Sequence, residues 1–343
     1  MRVLVDIKHP AEVRFFAPLI AALEQRNDTV RVTAHYKTQV AELMSALGME
    51  HTAISKARPG VPGIVGAALL RTLRLVRIAR EFRPDVMVAR VGVEIGAAGR
   101  ILGIPAVSFD ENEYANVQLA LSRRLARAIC TGMGYEKSLG RKQLRFNALP
   151  QLAYTHPARF TPDPAGLRAA GIEPEDPFVV LRLSGWKALH DLGRKRFQDN
   201  ELLELIEAME GHARVIVSHE GRPSPALERW QISLPVGEAL NLLALARLYV
   251  GEGGSMAAEA ACLGTPAIWI SSVRSGYLNI LTRQYGLVEQ LTDPAAIRRS
   301  AVRRLQDADL IRQTEESHRR LLADSEDPLE FMLDVVDRYG AGG

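Results

Sequence analysis

Gly253, Gly254, Ser255 and Glu259 are residue types that, at this spacing, can hold a phosphorylated ligand. They follow an apolar stretch ending Leu248-Tyr249-Val250, and they precede the alanine-rich run Met256 to Leu263. A strand, a glycine turn and a helix are expected in that order, with Ser255 at the helix N-cap and Gly264 and Pro266 ending the helix. Glycines let a backbone approach a ligand closely, and the unpaired N–H groups of a first helical turn attract an anion. Glu259 lies four residues beyond Ser255, so it shares a helix face with it, roughly 5–6 Å along the axis. A diphosphate on the amides with ribose hydroxyls on the carboxylate would fit a nucleotide. The same residues also fit an ordinary strand–helix turn with a favourable acidic residue near its dipole, and on composition alone both readings stay open.

Other chemistry-bearing residues also stand directly after apolar runs. His9 follows Val3 to Ile7, and Asp6 is placed to orient its ring. An imidazole there could take a proton from an acceptor hydroxyl, or simply cap a helix. Asp110 and Glu111, followed by Asn112 and Glu113, come after Ile104 to Phe109 and are acid–base candidates or a solvated loop. Arg182 and Ser184 end a later run, where a guanidinium fork and a hydroxyl could meet phosphate oxygens. His219 and Glu220 end the next one and could line a base or sugar. Structural salt bridges are the plainer use of all these charges.

The elements that must position these residues alternate. Apolar strands and amphipathic helices succeed one another from Val3 to Cys130 and again from Phe178 to Ile270, which predicts an α/β chain with doubly wound parallel sheets. Prolines 150, 157, 162, 164, 174 and 177 interrupt the pattern between the two halves. The expected division is a first Rossmann-like domain over 1–150, a linker over 151–176, a second domain carrying the glycine turn over 177–325 and a closing helix over 326–343. In open α/β sheets ligands bind beyond the carboxyl ends of the strands, so two such halves would face a cleft.

The motif G-x-G-G-S, E-A, L-G-x-P at 251–266 resembles the donor-site signature of GT-B glycosyltransferases and UDP-N-acetylglucosamine 2-epimerases. With D-x-x-H-P at 6–10, F-D-E-x-E at 109–113, L-R-L-S at 181–184 and V-S-H-E at 217–220, the chain resembles an uncharacterised prokaryotic family of GT-B-type predicted glycosyltransferases. That family is related to the 2-epimerases and to the transferase that completes lipid II. The resemblance implies a GT-B fold of two Rossmann-like domains. It also implies a glycine–serine diphosphate site, a ribose contact at Glu259 and a closing helix that crosses back to the first domain. One departure stands out: the 2-epimerases carry a His-Arg-Arg-type motif where this chain reads Ser184-Gly185-Trp186-Lys187. The expected activity is therefore inverting sugar transfer from a nucleotide-sugar, UDP-linked, to a glycan or lipid-linked hydroxyl. No metal or other cofactor is expected. An epimerase or hydrolase on the same fold, and a non-catalytic nucleotide-sugar or polysaccharide binder, remain the alternatives.

Bulk properties narrow the class. The chain has 343 residues, 47% hydrophobic, with a net charge of +3, too small to argue for nucleic acid. Its two cysteines, Cys130 and Cys262, lie in apolar contexts and suggest neither a disulfide framework nor a zinc site. The opening MRVLVDIKHP turns polar too soon for a signal peptide, and no apolar run reaches the roughly 18 residues of a membrane span, so a cytoplasmic enzyme is expected. The segment 63–82 carries leucines at helical spacing and Arg71, Arg74, Arg77 and Arg80 on another side. It is a solvated sheet-covering helix or a weak contact to the inner face of a membrane.

Overall fold

The computed structural model describes residues 1–36, 38–56, 61–111, 113–183, 197–219 and 224–342. The chain divides into two units, Met1–Tyr154 with Asp324–Gly343, and Thr155–Ala323. Unit 1 runs β1 (Arg2–Ile7), α1 (Pro10–Gln25), β2 (Thr29–Tyr36), α2 (Thr38–Ala46), β3 (Thr52–Lys56), α3 (Val61–Phe82), β4 (Val86–Arg90), α4 (Val93–Leu102), β5 (Ala106–Asp110), α5 (Asn116–Leu125), β6 (Ala128–Thr131) and β7 (Gln143–Arg145). The short α6 (Leu152–Thr155) spans the boundary. Unit 2 continues with α7 (Ala165–Ala169), β8 (Phe178–Leu183), α8 (Asp199–Glu210), β9 (Arg214–His219), α9 (Ala239–Leu245), β10 (Leu248–Gly251), α10 (Gly254–Cys262), β11 (Ala267–Ile270), α11 (Gly276–Arg283), β12 (Val288–Leu291), α12 (Pro294–Gln306) and α13 (Ala308–Asp324). A last helix, α14 (Pro328–Gly340), belongs to unit 1.

Each unit is built on a parallel sheet: β3-β2-β1-β4-β5-β6-β7 in unit 1 and β12-β11-β10-β8-β9 in unit 2. Both orders reverse direction once, between β1 and β4 and between β8 and β10. Those are the topological switch points, where an α/β sheet opens a crevice beyond its carboxyl edge. The strands are apolar runs because helices cover both faces; all five residues of β4 and of β5 are buried. In unit 1 the rings of Phe15, Phe16 and Phe109 meet edge-on at centroid distances of 5.0–6.0 Å. In unit 2, Leu205, Ile206 and Met209 of α8 pack with Val215, Val217 and Ile268 of the sheet. The last helix is fixed to unit 1 by Phe331 against Phe146 (4.9 Å between centroids) and by an Arg26–Asp337 ion pair.

One buried polar cluster interrupts the apolar interior of unit 1. Asp6 is fully buried, and its Oδ1 accepts from Thr33 Oγ1 at 2.7 Å and from Arg71 Nη2 at 2.5 Å. Arg71, 3% exposed, also bonds Ser55, whose hydroxyl meets His35 Nδ1 at 2.7 Å. This chain of contacts fastens α3 to the ends of β1, β2 and β3. Of the arginine row on α3, Arg71 is thus an interior residue and not part of a solvated face.

Candidate functional site

The carboxyl edge of unit 2 assembles around Gly251. Strand pairing puts Gly251 beside Arg182 on one side and Trp269 on the other, and Arg182 beside Ser218. A Cβ on Gly251 would stand 2.7 Å from the Arg182 carbonyl and 2.7 Å from the Tyr249 hydroxyl, so only glycine lets β8 and β10 close up here. The turn beyond is tied down on three sides. Glu252 N–H donates to the Arg182 carbonyl (3.2 Å), Tyr249 hydroxyl to the Gly253 carbonyl (3.1 Å), and Trp269 Nε1 to the Glu252 carbonyl (3.2 Å). Such a turn is fixed before any ligand arrives.

Helix α10 starts two residues earlier than the sequence suggests. Gly253, extended at φ −79°, ψ 103°, is the N-cap, and Ser255 lies in the first turn, exposed. Glycine at the cap leaves the first-turn amides without a side-chain acceptor, which Ser255 at that position would have supplied. Glu259 follows one turn later among buried Ala257, Ala258, Ala260 and Ala261, and is itself only 2% exposed. A glutamate at that depth is costly without a polar task. Burial, reinforced by the Glu259 charge, pushes the Tyr249 hydroxyl and the Cys262 thiol well above their usual ranges. Arg182 Nη1 donates to Ser218 Oγ at 2.7 Å, and His219 ends β9 half-buried. Ser184 and Glu220 lie outside the described residues.

The far end of α10 is held by a titratable group. Gly264 turns the chain at φ +90°, and His318 Nε2 donates to the Cys262 carbonyl at 2.8 Å. Burial holds the His318 ring below its usual pKa despite that bond. The unfolded chain therefore takes up a proton, below about pH 6.5, that the folded ring refuses, so stability is full above that pH and falls as the pH drops through it. Urea midpoints between about pH 5 and 7 should slope upward with pH, and His318→Asn should flatten the slope; equal slopes would remove His318 from the helix end.

In unit 1 the site residues stand on three neighbouring strand ends. His9 caps α1, exposed, its Nδ1 accepting from Ala11 N–H at 3.3 Å. A neutral ring so bound carries its proton on Nε2 and is a donor there. Asp6 does not play the expected orienting part, because Thr33 and Arg71 engage its Oδ1. Asp110 ends β5, buried, paired in register with Thr131. Glu111 is half-buried, 2.5 Å from Arg90 Nη2 and 3.4 Å from Gln151 Nε2. With β4 between them, the ends of β1 and β5 lie about 10 Å apart.

Four charged residues that the sequence reading passed over fill that interval. Lys8 Nζ donates to Glu94 Oε2 and to the Val91 carbonyl, both at 3.0 Å, and Lys8 N–H donates to Glu12 Oε2 at 2.6 Å. Arg90 stacks on Phe15 at 4.9 Å while pairing with Glu111. Burial raises the Glu12 carboxyl against the pull of Lys8 and Arg90; at Glu94 burial is outweighed by Lys8 and Arg71, and the carboxyl is lowered. Val91, a β-branched residue, sits at φ +48°, a strained conformation held by the Lys8 bond and by its N–H to the Phe109 carbonyl at 3.2 Å. The signal was the turn Arg90-Val91-Gly92 directly after an apolar strand, a position equivalent to those that were read. Among the described residues no cluster of histidines, cysteines and carboxylates could hold a metal ion.

Residues 1–139 match the family described as "Protein of unknown function (DUF354)". A segment of 129 residues is 31% identical to the UDP-N-acetylglucosamine–N-acetylmuramyl-(pentapeptide) pyrophosphoryl-undecaprenol N-acetylglucosamine transferase of Porphyromonas gingivalis, covering 35% of this chain and 33% of that enzyme. The chain thus spans a third of the length of that relative. Among solved structures, UDP-GlcNAc 2-epimerase from Neisseria meningitidis bound to UDP-GlcNAc superposes with a TM-score of 0.67 at 14% identity, over 98% of this chain and 100% of that one. The spinosyn forosaminyltransferase superposes with a TM-score of 0.65 at 14% identity, over 99% of both chains. The chain therefore has the fold of GT-B glycosyltransferases and of the 2-epimerases: two Rossmann-like α/β units on parallel sheets.

Proposed function

We propose that this protein is a glycosyltransferase that moves a sugar from a UDP-linked donor to a hydroxyl on a glycan or lipid-linked acceptor, with inversion and without a metal ion. Unit 2 holds the donor. The diphosphate takes the first-turn amides of α10 and Ser255, with Arg182 beside it, and the ribose hydroxyls take Glu259. Unit 1 binds the acceptor at the ends of β1, β4 and β5. The acceptor oxygen bonds to the anomeric carbon as the bond from that carbon to the diphosphate oxygen breaks. The acceptor proton passes to a unit 1 base. His9 keeps Nδ1 on its own helix and so serves better as a donor, which leaves Glu111, or Asp110 behind it, to take the proton. The departing diphosphate carries its charge to the positive end of α10.

The observation that supports the donor site is the pre-tied glycine turn at the unit 2 switch point, with a buried glutamate one helical turn below it. The relatives' fold fits the same reading. The test is a turnover assay with UDP-GlcNAc in the presence of EDTA, with and without polyprenyl-diphosphate or oligosaccharide acceptors, followed by NMR of the products. UDP released together with a new inverted glycosidic bond supports transfer. UDP-sugar epimerised or hydrolysed without an acceptor would replace the proposal with the epimerase or hydrolase reading. Binding without turnover would leave a nucleotide-sugar binding protein.

A further inference from the structure

Among the described residues nine large hydrophobic side chains are exposed, and seven of them lie on α3, α4 and α5 or at their start: Leu69, Leu70 and Leu73 on α3, Ile101 near the end of α4, and Tyr114, Val117 and Leu121 at α5. Scattered exposed leucines need no explanation, but a cluster does. Helices α3, α4 and α5 form one layer, since α3 packs on α4 and α4 on α5, and their inward faces cover the sheet from β3 to β6. The outward stripe of α3 is Leu69, Leu70, Leu73 and Arg74 and then Arg77, Arg80 and Glu81, the last paired with Arg77 at 3.3 Å. That of α5 is Val117, Ala120 and Leu121 and then Arg124. In both helices apolar residues come first and arginines after them.

That order has a spatial meaning. Each helix follows a parallel strand, so each starts at the carboxyl edge of the sheet and runs back along it. The apolar residues of α3 and α5 therefore lie toward the edge that carries His9 and Glu111, and the arginines lie behind them. Arg100, at the end of α4, adds to the belt between the two helices. Exposure is high where contact would need it: Leu69 is 61% exposed, Val117 75%, and the Arg77 side chain 84%. Burial, with Arg100 and Arg127 repelling it, lowers the pKa of Lys142, whose ammonium caps the carbonyls closing α5, so the field there is positive.

We infer that the outer face of the α3–α5 layer docks on an anionic lipid bilayer, with the leucine and valine row entering the acyl boundary and the arginine belt at the phosphates. An apolar row backed by cations is the pattern of an interfacial helix, and the belt's charge selects an anionic lipid surface over an apolar protein partner. The docking is peripheral: no helix among the described residues is long and apolar enough to cross a membrane. The inference stands on unit 1 alone. Its corollary, that the acceptor reaches unit 1 from the bilayer, rests on the glycosyltransferase reading.

The test is flotation of the purified full chain with vesicles of phosphatidylcholine, alone or with about one third phosphatidylglycerol, at low and high salt. Binding is expected to the anionic vesicles only and to weaken steeply with salt. Leu69→Ser with Val117→Ser should reduce it at least tenfold. Arg77→Gln with Arg124→Gln should reduce it at low salt and flatten its salt dependence. All four positions are exposed, so circular dichroism and UDP binding should not change in either variant. Equal binding to neutral vesicles, no binding to anionic ones, or indifference to both pairs of substitutions would overturn the docking face. So would a dimer in sizing experiments that the leucine and valine variant abolishes, because the face would then belong to a second copy. Flotation reads no catalysis, so failure of the transfer assay leaves this result standing, and the reverse holds too.

Discussion

Glu259→Gln is expected to weaken UDP binding by about one to two orders of magnitude while unit 2 stays folded. A charge-assisted hydrogen bond contributes roughly 1.5–3 kcal/mol, and the proposed ribose contact would make two such bonds from one carboxylate. Glutamine has nearly the same shape, so the alanine packing around position 259 survives. The side chain is 2% exposed, and its charge lies close enough to Tyr249 to help raise that hydroxyl. Calorimetric titration separates the two roles: lost affinity with an unchanged melting temperature marks a ligand contact, whereas unchanged affinity with a shifted melting temperature would make Glu259 a structural residue.

Arg71→Met should destabilise unit 1 by about 3–5 kcal/mol, because it strands a fully buried carboxylate. Asp6 and Arg71 are 1% and 3% exposed at the side chain, and the Asp6 Oδ2 has no hydrogen-bond partner among the described residues, so water offers no relief. Burial already raises the Asp6 carboxyl in spite of Arg71, Lys8 and Thr33. A carboxyl raised by folding costs nothing where both states are protonated and costs most above its folded pKa. The deficit of Arg71→Met should therefore narrow as the pH falls toward the ordinary carboxylate range, and Asp6→Asn in the same chain should recover much of it. Urea denaturation at two pH values checks both. A deficit independent of pH would mean that lost packing, not the stranded charge, sets the cost.

Much of the fold was legible because covered parallel strands are apolar runs, and β1, β4, β5 and β10 stand out as such. Strand β12 was not, since Val288-Glu289-Gln290-Leu291 carries two polar residues. Glu289 accepts from Ser300 and Arg304, and Gln290 donates to the Ser271 carbonyl. The arginine row on α3 misled for a geometric reason. Steps of three residues turn about 300°, so the row drifts about 60° each step and sweeps half the helix. Arg71 ends up inside on Asp6, Arg74 is exposed but reaches back to the Ile54 carbonyl, and Arg77 and Arg80 face outward. The glycine turn was legible from spacing, yet its N-cap was assigned to Ser255 because serine is the better cap. The Tyr249 and Trp269 bonds that settle the turn on Gly253 join residues 4 and 17 apart in sequence. The strained turn at Val91 left no trace in composition at all, since valine is the residue least suited to it.

The central claim is that the turn at Gly253 to Ser255 and Glu259 binds a nucleoside diphosphate. Calorimetric titration of the full chain with UDP, GDP, CMP and dTDP, each with and without EDTA, tests it most directly. Selective UDP binding that EDTA leaves unchanged and Glu259→Gln weakens at least tenfold is the predicted result. No binding of any of the four at millimolar concentration would contradict it, and would make the glycine turn a packing feature of the sheet.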